Sequence, residues 1–179
     1  MSSIKGSKTE KNLMDAFAGE SQARNKYTYF AKVAKKQGYN YIAKIFEETA
    51  ENEFQHAKEE FKLLKGIGDT AANLKAAMEG EHYENTEMYP QMEKDAKEEG
   101  HTEAARLFRN ISKVEEHHED RYKKLIEMVE KGTVYKREKE IMWKCSKCGH
   151  LHKGKSPPKE CPVCKHETEY FEPEDICEF

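Results

Sequence analysis

Residues 49–56 read Thr-Ala-Glu-Asn-Glu53-Phe-Gln-His56, and residues 111–118 read Ile-Ser-Lys-Val-Glu115-Glu-His-His118. Both contain Glu-x-x-His, which sets a carboxylate and an imidazole one helical turn apart on one face, where both can reach a single ion. The flanking residues keep helical period. Around the first stretch, Ile42, Phe46, Thr49, Glu53, His56 and Leu64 recur at steps of three and four or their multiples; around the second, Phe108, Ile111, Glu115, His118, Tyr122, Leu125 and Val129 do so. Two further segments follow the same rule. One carries Leu13, Phe17, Glu20, Tyr27 and Ala31, the other Leu74, Met78, Glu81, Glu84, Met88 and Met92. Glycine turns at Gly38, at Gly66-Ile67-Gly68, at Gly100 and at Gly132 mark off four helices.

The four helices form a weak internal repeat. Glu20 precedes Glu53 by 33 residues and Glu81 precedes Glu115 by 34, with Gly19 and Gly80 directly before the first acid of each half. One Glu from each of two helices, with Glu-x-x-His from each of the other two, is the ligand set of a dinuclear carboxylate site in a four-helix bundle. Energetics point the same way. A bare buried carboxylate costs several kcal/mol, so five acids on core-facing stripes need compensation, and two divalent cations supply it. Carboxylate and imidazole donors suit iron or manganese better than metals that prefer soft ligands. A single glutamate on an apolar stripe is ordinarily a boundary residue with a solvated head, but two Glu-x-x-His copies at matching repeat positions are not explained that way. His82, His101, His117, His150, His152 and His166 lie off the stripes or in the tail and are expected to be solvated.

The end of the chain is of another kind. All five cysteines fall after residue 144 and four of the five prolines after residue 156, which divides the chain into a helical domain, 1–140, and a cysteine module, 141–179. Cys145-Ser-Lys-Cys148 and Cys161-Pro-Val-Cys164 offer four thiolates in two knuckles, suited to tetrahedral zinc or to a single iron. On spacing alone a structural zinc ribbon is the preferred reading. Cys177 has no partner. Charged and hydrophobic residues each make up 36% of the chain, with mean hydropathy −1.03, as long helices with solvated outer faces require. The 31 basic and 34 acidic residues are interspersed, so no basic face is gathered for nucleic acid. No apolar run reaches the roughly 18 residues of a membrane span. The N-terminal MSSIKGSKTEKNLMDAF has no secretory-signal pattern, so a cytoplasmic protein with neither nucleic-acid nor membrane partners is expected.

Together the modules resemble the rubrerythrin family, in which an all-α, ferritin-like four-helix di-iron domain precedes a small rubredoxin-like four-cysteine domain. The resemblance rests on Ala18-Gly-Glu20-Ser-Gln-Ala-Arg24-Asn-Lys-Tyr27, Glu53-x-x-His56, Glu81-x-x-Glu84, Glu115-x-x-His118 and the two knuckles. It implies that Glu53 and Glu115 bridge two irons, that Glu20 binds one terminally, and that Glu81 and His118 hold the other. It implies that the first iron is held by Glu84 when oxidised and by His56 when reduced, with Tyr27 and Tyr89 beside the ligands. It implies too that Cys145, Cys148, Cys161 and Cys164 hold one iron, or zinc if misloaded, and pass electrons to the di-iron site. The activity implied is reduction of hydrogen peroxide to water in oxidative-stress protection. Its electrons come from NAD(P)H by way of a separate reductase or a rubredoxin. A ferroxidase on the same bundle, and a metal-stabilised electron carrier, are the competing functions.

Chain geometry adds one expectation. In a ferritin-like bundle the second and third helices run parallel, so their connection must climb the bundle. With the second helix ending at Lys65 and the third starting at Thr70, the crossover spans roughly 34 Å at 1.5 Å per residue, whereas five Cα steps reach about 18 Å at most. A homodimer is therefore expected in which helices one and two of each chain pair with helices three and four of the other, making two composite sites.

Overall fold

The computed structural model describes residues 4–174; Cys177 lies outside them. The chain divides into two compact units, Met1–Gly68 and Asp69–Phe179.

The first unit is a helical hairpin of α1 (Lys8–Lys36) and α2 (Asn40–Leu63). Ser7 caps α1 by accepting the Glu10 N–H at 3.1 Å, and Gly38, at φ +82°, turns the chain into α2. The buried residues of the hairpin are all alanines, Ala31, Ala34, Ala43, Ala50 and Ala57, which let the two backbones approach closely. Larger stripe residues lie along this seam, with Phe17 stacked on Phe61 at 4.8 Å and Phe46 close to Tyr27 and Phe30. Ile42, placed on the stripe by its spacing, is 47% exposed in this unit. The second helix ends two residues earlier than its pattern suggests. Lys65 turns left-handed at φ +58°, and the N–H groups of Lys65 and Gly66 close the end on Lys62 and Phe61 carbonyls. Gly66 is required there, because a Cβ on it would lie 2.1 Å from the Phe61 ring.

In the second unit α3 (Thr70–Tyr83), capped by Asp69 accepting from the Ala72 N–H at 2.9 Å, runs into a single π turn, Glu84–Met88. It continues as α4 (Tyr89–Glu98), and both helices pack on α5 (Thr102–Glu130). The hydrophobic pattern predicts one unbroken third helix, and Pro90 gives the reason for the difference. Its ring removes an N–H and crowds the carbonyl four residues back. The wider turn relieves this, with the Tyr89 N–H bonded to the Glu84 carbonyl.

The same unit holds an antiparallel sheet in the order β2-β1-β3, made of β1 (Ile141–Cys145), β2 (Leu151–Gly154) and β3 (Phe171–Pro173). Its core is Trp143, Cys145, Cys161 and Phe171. The indole N–H of Trp143 donates to the Gly154 carbonyl at 3.0 Å, and the Arg137 guanidinium lies 5.3 Å from its ring centre. The two cysteine knuckles fold alike. In each, the residue after the second cysteine has positive φ, Gly149 at +77° and Lys165 at +63°, and its N–H returns to the first cysteine's carbonyl. The next residue, His150 or His166, accepts the first cysteine's N–H on its carbonyl. That local hydrogen bonding draws these two histidines, expected to be solvated, into half-buried positions, and His152 is half-buried on β2. Among the described residues no helix is long and apolar enough to cross a membrane.

Replacing Gly66 by Ala is expected to destabilise the protein by about 1–3 kcal/mol through the Phe61 overlap. Gly38→Ala, which meets open space, is expected to cost about 1 kcal/mol from backbone strain alone. Urea unfolding of both variants checks the order.

Candidate metal centres

In the first unit Glu20 of α1 faces Glu53 and His56 of α2, one donor atom of each lying within 4.8 Å of the others. His56 Nδ1 stands 2.8 Å from a Glu53 oxygen and 4.0 Å from a Glu20 oxygen. A hydrogen bond that protonated Glu20 donates to Glu53, then burial and the Glu53 charge, push the Glu20 carboxyl above its usual range. His56 is the most open of the three, its side chain 60% exposed. Glu60, one turn beyond His56, has the one buried side-chain oxygen among the described residues that lacks a hydrogen-bond partner. Its charge reaches Glu20.

The second unit repeats the motif with Glu81 of α3 and Glu115 and His118 of α5, again within 4.8 Å. His118 Nδ1 lies 2.7 Å from Glu115 and 3.7 Å from Glu81. Burial, then the charge and hydrogen bond of Glu115, raise the Glu81 carboxyl. Carboxylates this close must share protons when no cation is present. A divalent ion among them replaces those protons, so the donor sets fit hard or borderline cations such as ferrous iron.

Glu84 lies outside the three-donor cluster, yet its charge reaches both Glu81 and Tyr89. Tyr89 is half-buried, and its phenol is raised by burial first and then by Glu84, Glu115 and Glu81. Spacing alone puts Tyr89 out of line with Glu84; the i+5 turn brings it round. The sequence holds a signal for this, since Tyr27 follows Glu20 by seven residues while Tyr89 follows Glu81 by eight. The extra residue is taken up in the π turn. Tyr27 sits among Phe30 and Phe46, at ring separations of 6.3 and 6.2 Å.

Reading the sequence by stripes missed Glu119. It is 6% exposed and the one buried charged residue among those described. It accepts hydrogen bonds from Asn85 Nδ2 at 2.6 Å and Lys123 Nζ at 2.6 Å, and its other oxygen contact is His82 Nδ1 at 3.0 Å. The Lys123 and Asn85 bonds hold its carboxyl down to about 2. His82 is exposed, as expected, while one of its ring nitrogens meets Glu119.

In the cysteine module the sulfurs of Cys145 and Cys164 are 3.6 Å apart, as are those of Cys148 and Cys161. Four sulfurs bound at about 2.3 Å around one tetrahedral ion would be separated by about 3.8 Å, so the cage is already shaped for a metal. Cys145 and Cys161 are buried, Cys164 half-buried and Cys148 exposed. Burial opposes the Cys161 thiolate, but the N–H groups of Cys164 and Val163 outweigh it and bring the thiol down to about 7. At Cys148 the His150 N–H is outweighed by burial and three neighbouring sulfurs, which push that thiol up to about 12.

Residues 11–126 match the rubrerythrin family model, and residues 143–172 match that of the rubrerythrin rubredoxin-like domain. Rubrerythrin of Porphyromonas gingivalis is 52% identical, the alignment covering 96% of this chain and 92% of that protein. Rubrerythrin of Nitratidesulfovibrio vulgaris is 47% identical, over 96% and 97%. A solved structure of the partially reduced state of nigerythrin is 32% identical over 92% of this chain and 86% of that one, with a TM-score of 0.37.

The acids impose opposite pH trends on the metal-free chain. Glu20 and Glu81 keep protons in the folded state where the unfolded chain has lost them, so stability falls as pH rises through their raised values. Glu119 contributes fully above its unfolded value near 4.5, and that contribution is lost as pH falls toward 2. Thermal melts of the metal-free protein should peak near about pH 5. Anaerobic addition of ferrous ion should abolish the decline toward pH 7, and Glu119→Gln should flatten the acid side.

Proposed function

The chain belongs to the rubrerythrin family of di-iron oxidative-stress proteins, and from that premise we propose that it reduces hydrogen peroxide to water with electrons delivered through its four-cysteine site. The observation that carries this reading is the presence in one chain of two Glu/Glu/His clusters and a four-sulfur cage. A ferroxidase would have no use for the cage. In this reading Glu53 and Glu115 would be shared by two metal ions, Glu20 would hold one of them, and Glu81 with His118 would hold the other. Iron bound there supplies the two electrons that, with two protons, convert one peroxide into two waters.

The chain's own groups manage charge and protons. Glu84 would be the ligand of one metal in the oxidised site, where its negative charge is favourable, and His56 would be that metal's ligand in the reduced site. Tyr89, its phenol raised, stays protonated at neutral pH, so its hydroxyl can donate a hydrogen bond to Glu84 or to a peroxide oxygen. Tyr27 takes the matching place in the first half. Cys145, Cys148, Cys161 and Cys164 would hold the iron that supplies one-electron transfer, with a rubredoxin or an NAD(P)H-linked reductase as donor.

The reading includes a homodimer with exchanged helix pairs. In a ferritin-like bundle, α2 runs ten residues past Glu53 to Leu63 and α3 runs eleven from Thr70 to Glu81, so a crossover within one chain would span about 31 Å. The seven Cα steps from Leu63 to Thr70 reach about 25 Å at most. The exposed apolar side chains of the hairpin, Phe30, Val33 and Ile45 among them, support a partner covering them.

Reduced, iron-loaded protein titrated anaerobically with hydrogen peroxide should regain its ferric four-thiolate colour at about two cysteine sites per peroxide once the di-iron sites are oxidised; a cysteine site that stays reduced while peroxide persists overturns the peroxidase reading. For the exchange, inactive Glu53→Gln and Glu115→Gln chains are refolded together. Exchanged dimers should regain about a quarter of wild-type peroxidase activity, because half the dimers are mixed and each has one intact site. Without exchange no site is intact and activity stays at the level of the single variants.

A further inference from the structure

The two halves of the internal repeat are unequal in one region. Arg24 follows Glu20 by four residues and Ala57 follows Glu53 by four; at the same places after Glu81 and Glu115 stand Asn85 and Glu119. The first half runs through as unbroken α1, whereas the second has the π turn, Pro90 and the additional acid Glu84. The buried polar network is likewise confined to the second half. Glu119 on α5 reaches His82 at the end of α3 at 3.0 Å and Asn85 inside the π turn at 2.6 Å. Ser112, also on α5, donates to the Asn85 carbonyl at 3.1 Å. The turn is thereby tied to α5 by both the side chain and the backbone of the residue next to Glu84.

We infer that Glu119 and Asn85 are positioning residues that clamp the π turn to α5, so that Glu84 and Tyr89 both face the Glu81–Glu115–His118 cluster. A π turn is less stable than the α-helix it interrupts. Without the clamp the segment relaxes toward α geometry, and a change of even one residue in register rotates Glu84 by about 100° around the helix. The inference rests on the reading of Glu84 as a metal ligand.

The test is cobalt(II) titration, followed by visible absorption, of full-length protein that carries His56→Ala in every variant, so that a divalent ion cannot use the histidine and depends on Glu84; zinc already fills the cysteine site. Glu119→Ala, which installs the residue found at the matching place in the first half, should weaken cobalt binding about tenfold or more. Glu119→Gln, which keeps an acceptor for Asn85, should stay within about threefold. The double variant Glu84→Gln/Glu119→Ala should bind no more weakly than Glu84→Gln alone, since residues acting through one another are not additive. In the metal-free protein, amide exchange at the Tyr89 N–H should quicken in Glu119→Ala and not in Glu84→Gln. Asn85→Ala, which removes one hydrogen bond and leaves the charge of Glu119 paired with Lys123, should give the same pattern if Glu119→Ala folds poorly. Unchanged cobalt affinity in Glu119→Ala relative to the His56→Ala parent, or losses that add in full when Glu84→Gln is added, would overturn the clamp. If, in the His56→Ala background, Glu84→Gln binds cobalt as tightly as its parent, the ligand assignment has failed and the clamp fails with it.

Discussion

Carboxylates held within hydrogen-bond reach of one another across a helix seam cannot all be ionised, and most features of this chain follow from that constraint. Glu20 with Glu53, and Glu81 with Glu115, are each close enough to raise a carboxyl above its usual range. A histidine one turn along completes each group. In the metal-free chain shared protons keep the peace; a cation does so better, because it satisfies both oxygens and imidazole together. The narrow alanine seam of the hairpin serves the same end, since small side chains let the two backbones come near enough for acids on facing helices to meet.

The two halves share this constraint but not its surroundings. In the first half the helix is continuous and aromatic rings pack around Tyr27. In the second, Pro90 forbids a continuous helix, and one additional residue is stored as a π turn between Glu81 and Tyr89. That turn carries the additional acid and is held by buried Glu119. An ionised carboxylate in a nearly dry site is costly unless every lone pair is engaged, and Asn85, His82 and Lys123 engage them. The asymmetry gives one half an additional acid on a π turn, where the other half has Ala23.

The cysteine module solves a similar crowding problem with softer ligands. Two knuckles of identical hydrogen-bond pattern bring four sulfurs into a cage whose thiols are pulled in opposite directions, Cys161 down and Cys148 up. Backbone N–H groups aimed at the sulfurs favour the thiolate form that a metal needs. Cys148 is the one exposed residue of the four.

Much of this was legible from spacing. Period and glycine turns marked the helices, the doubled Glu-x-x-His with its partner acids marked the metal clusters, and paired Cys-x-x-Cys marked the cage, because each depends on residues close together in sequence. What spacing could not supply depended on contacts between elements. The register shift at Tyr89 needs a turn type that hydrophobic period does not encode. Glu119 looked like one more surface acid on a highly charged helix, and only the packing of α3 and the π turn against α5 buries it. His150 and His166 are drawn inward by knuckle hydrogen bonds that composition does not reveal. Local chemistry is written in the order of residues; burial and register are decided where helices and strands meet, since there the free energy of each side chain depends on neighbours far away in the chain.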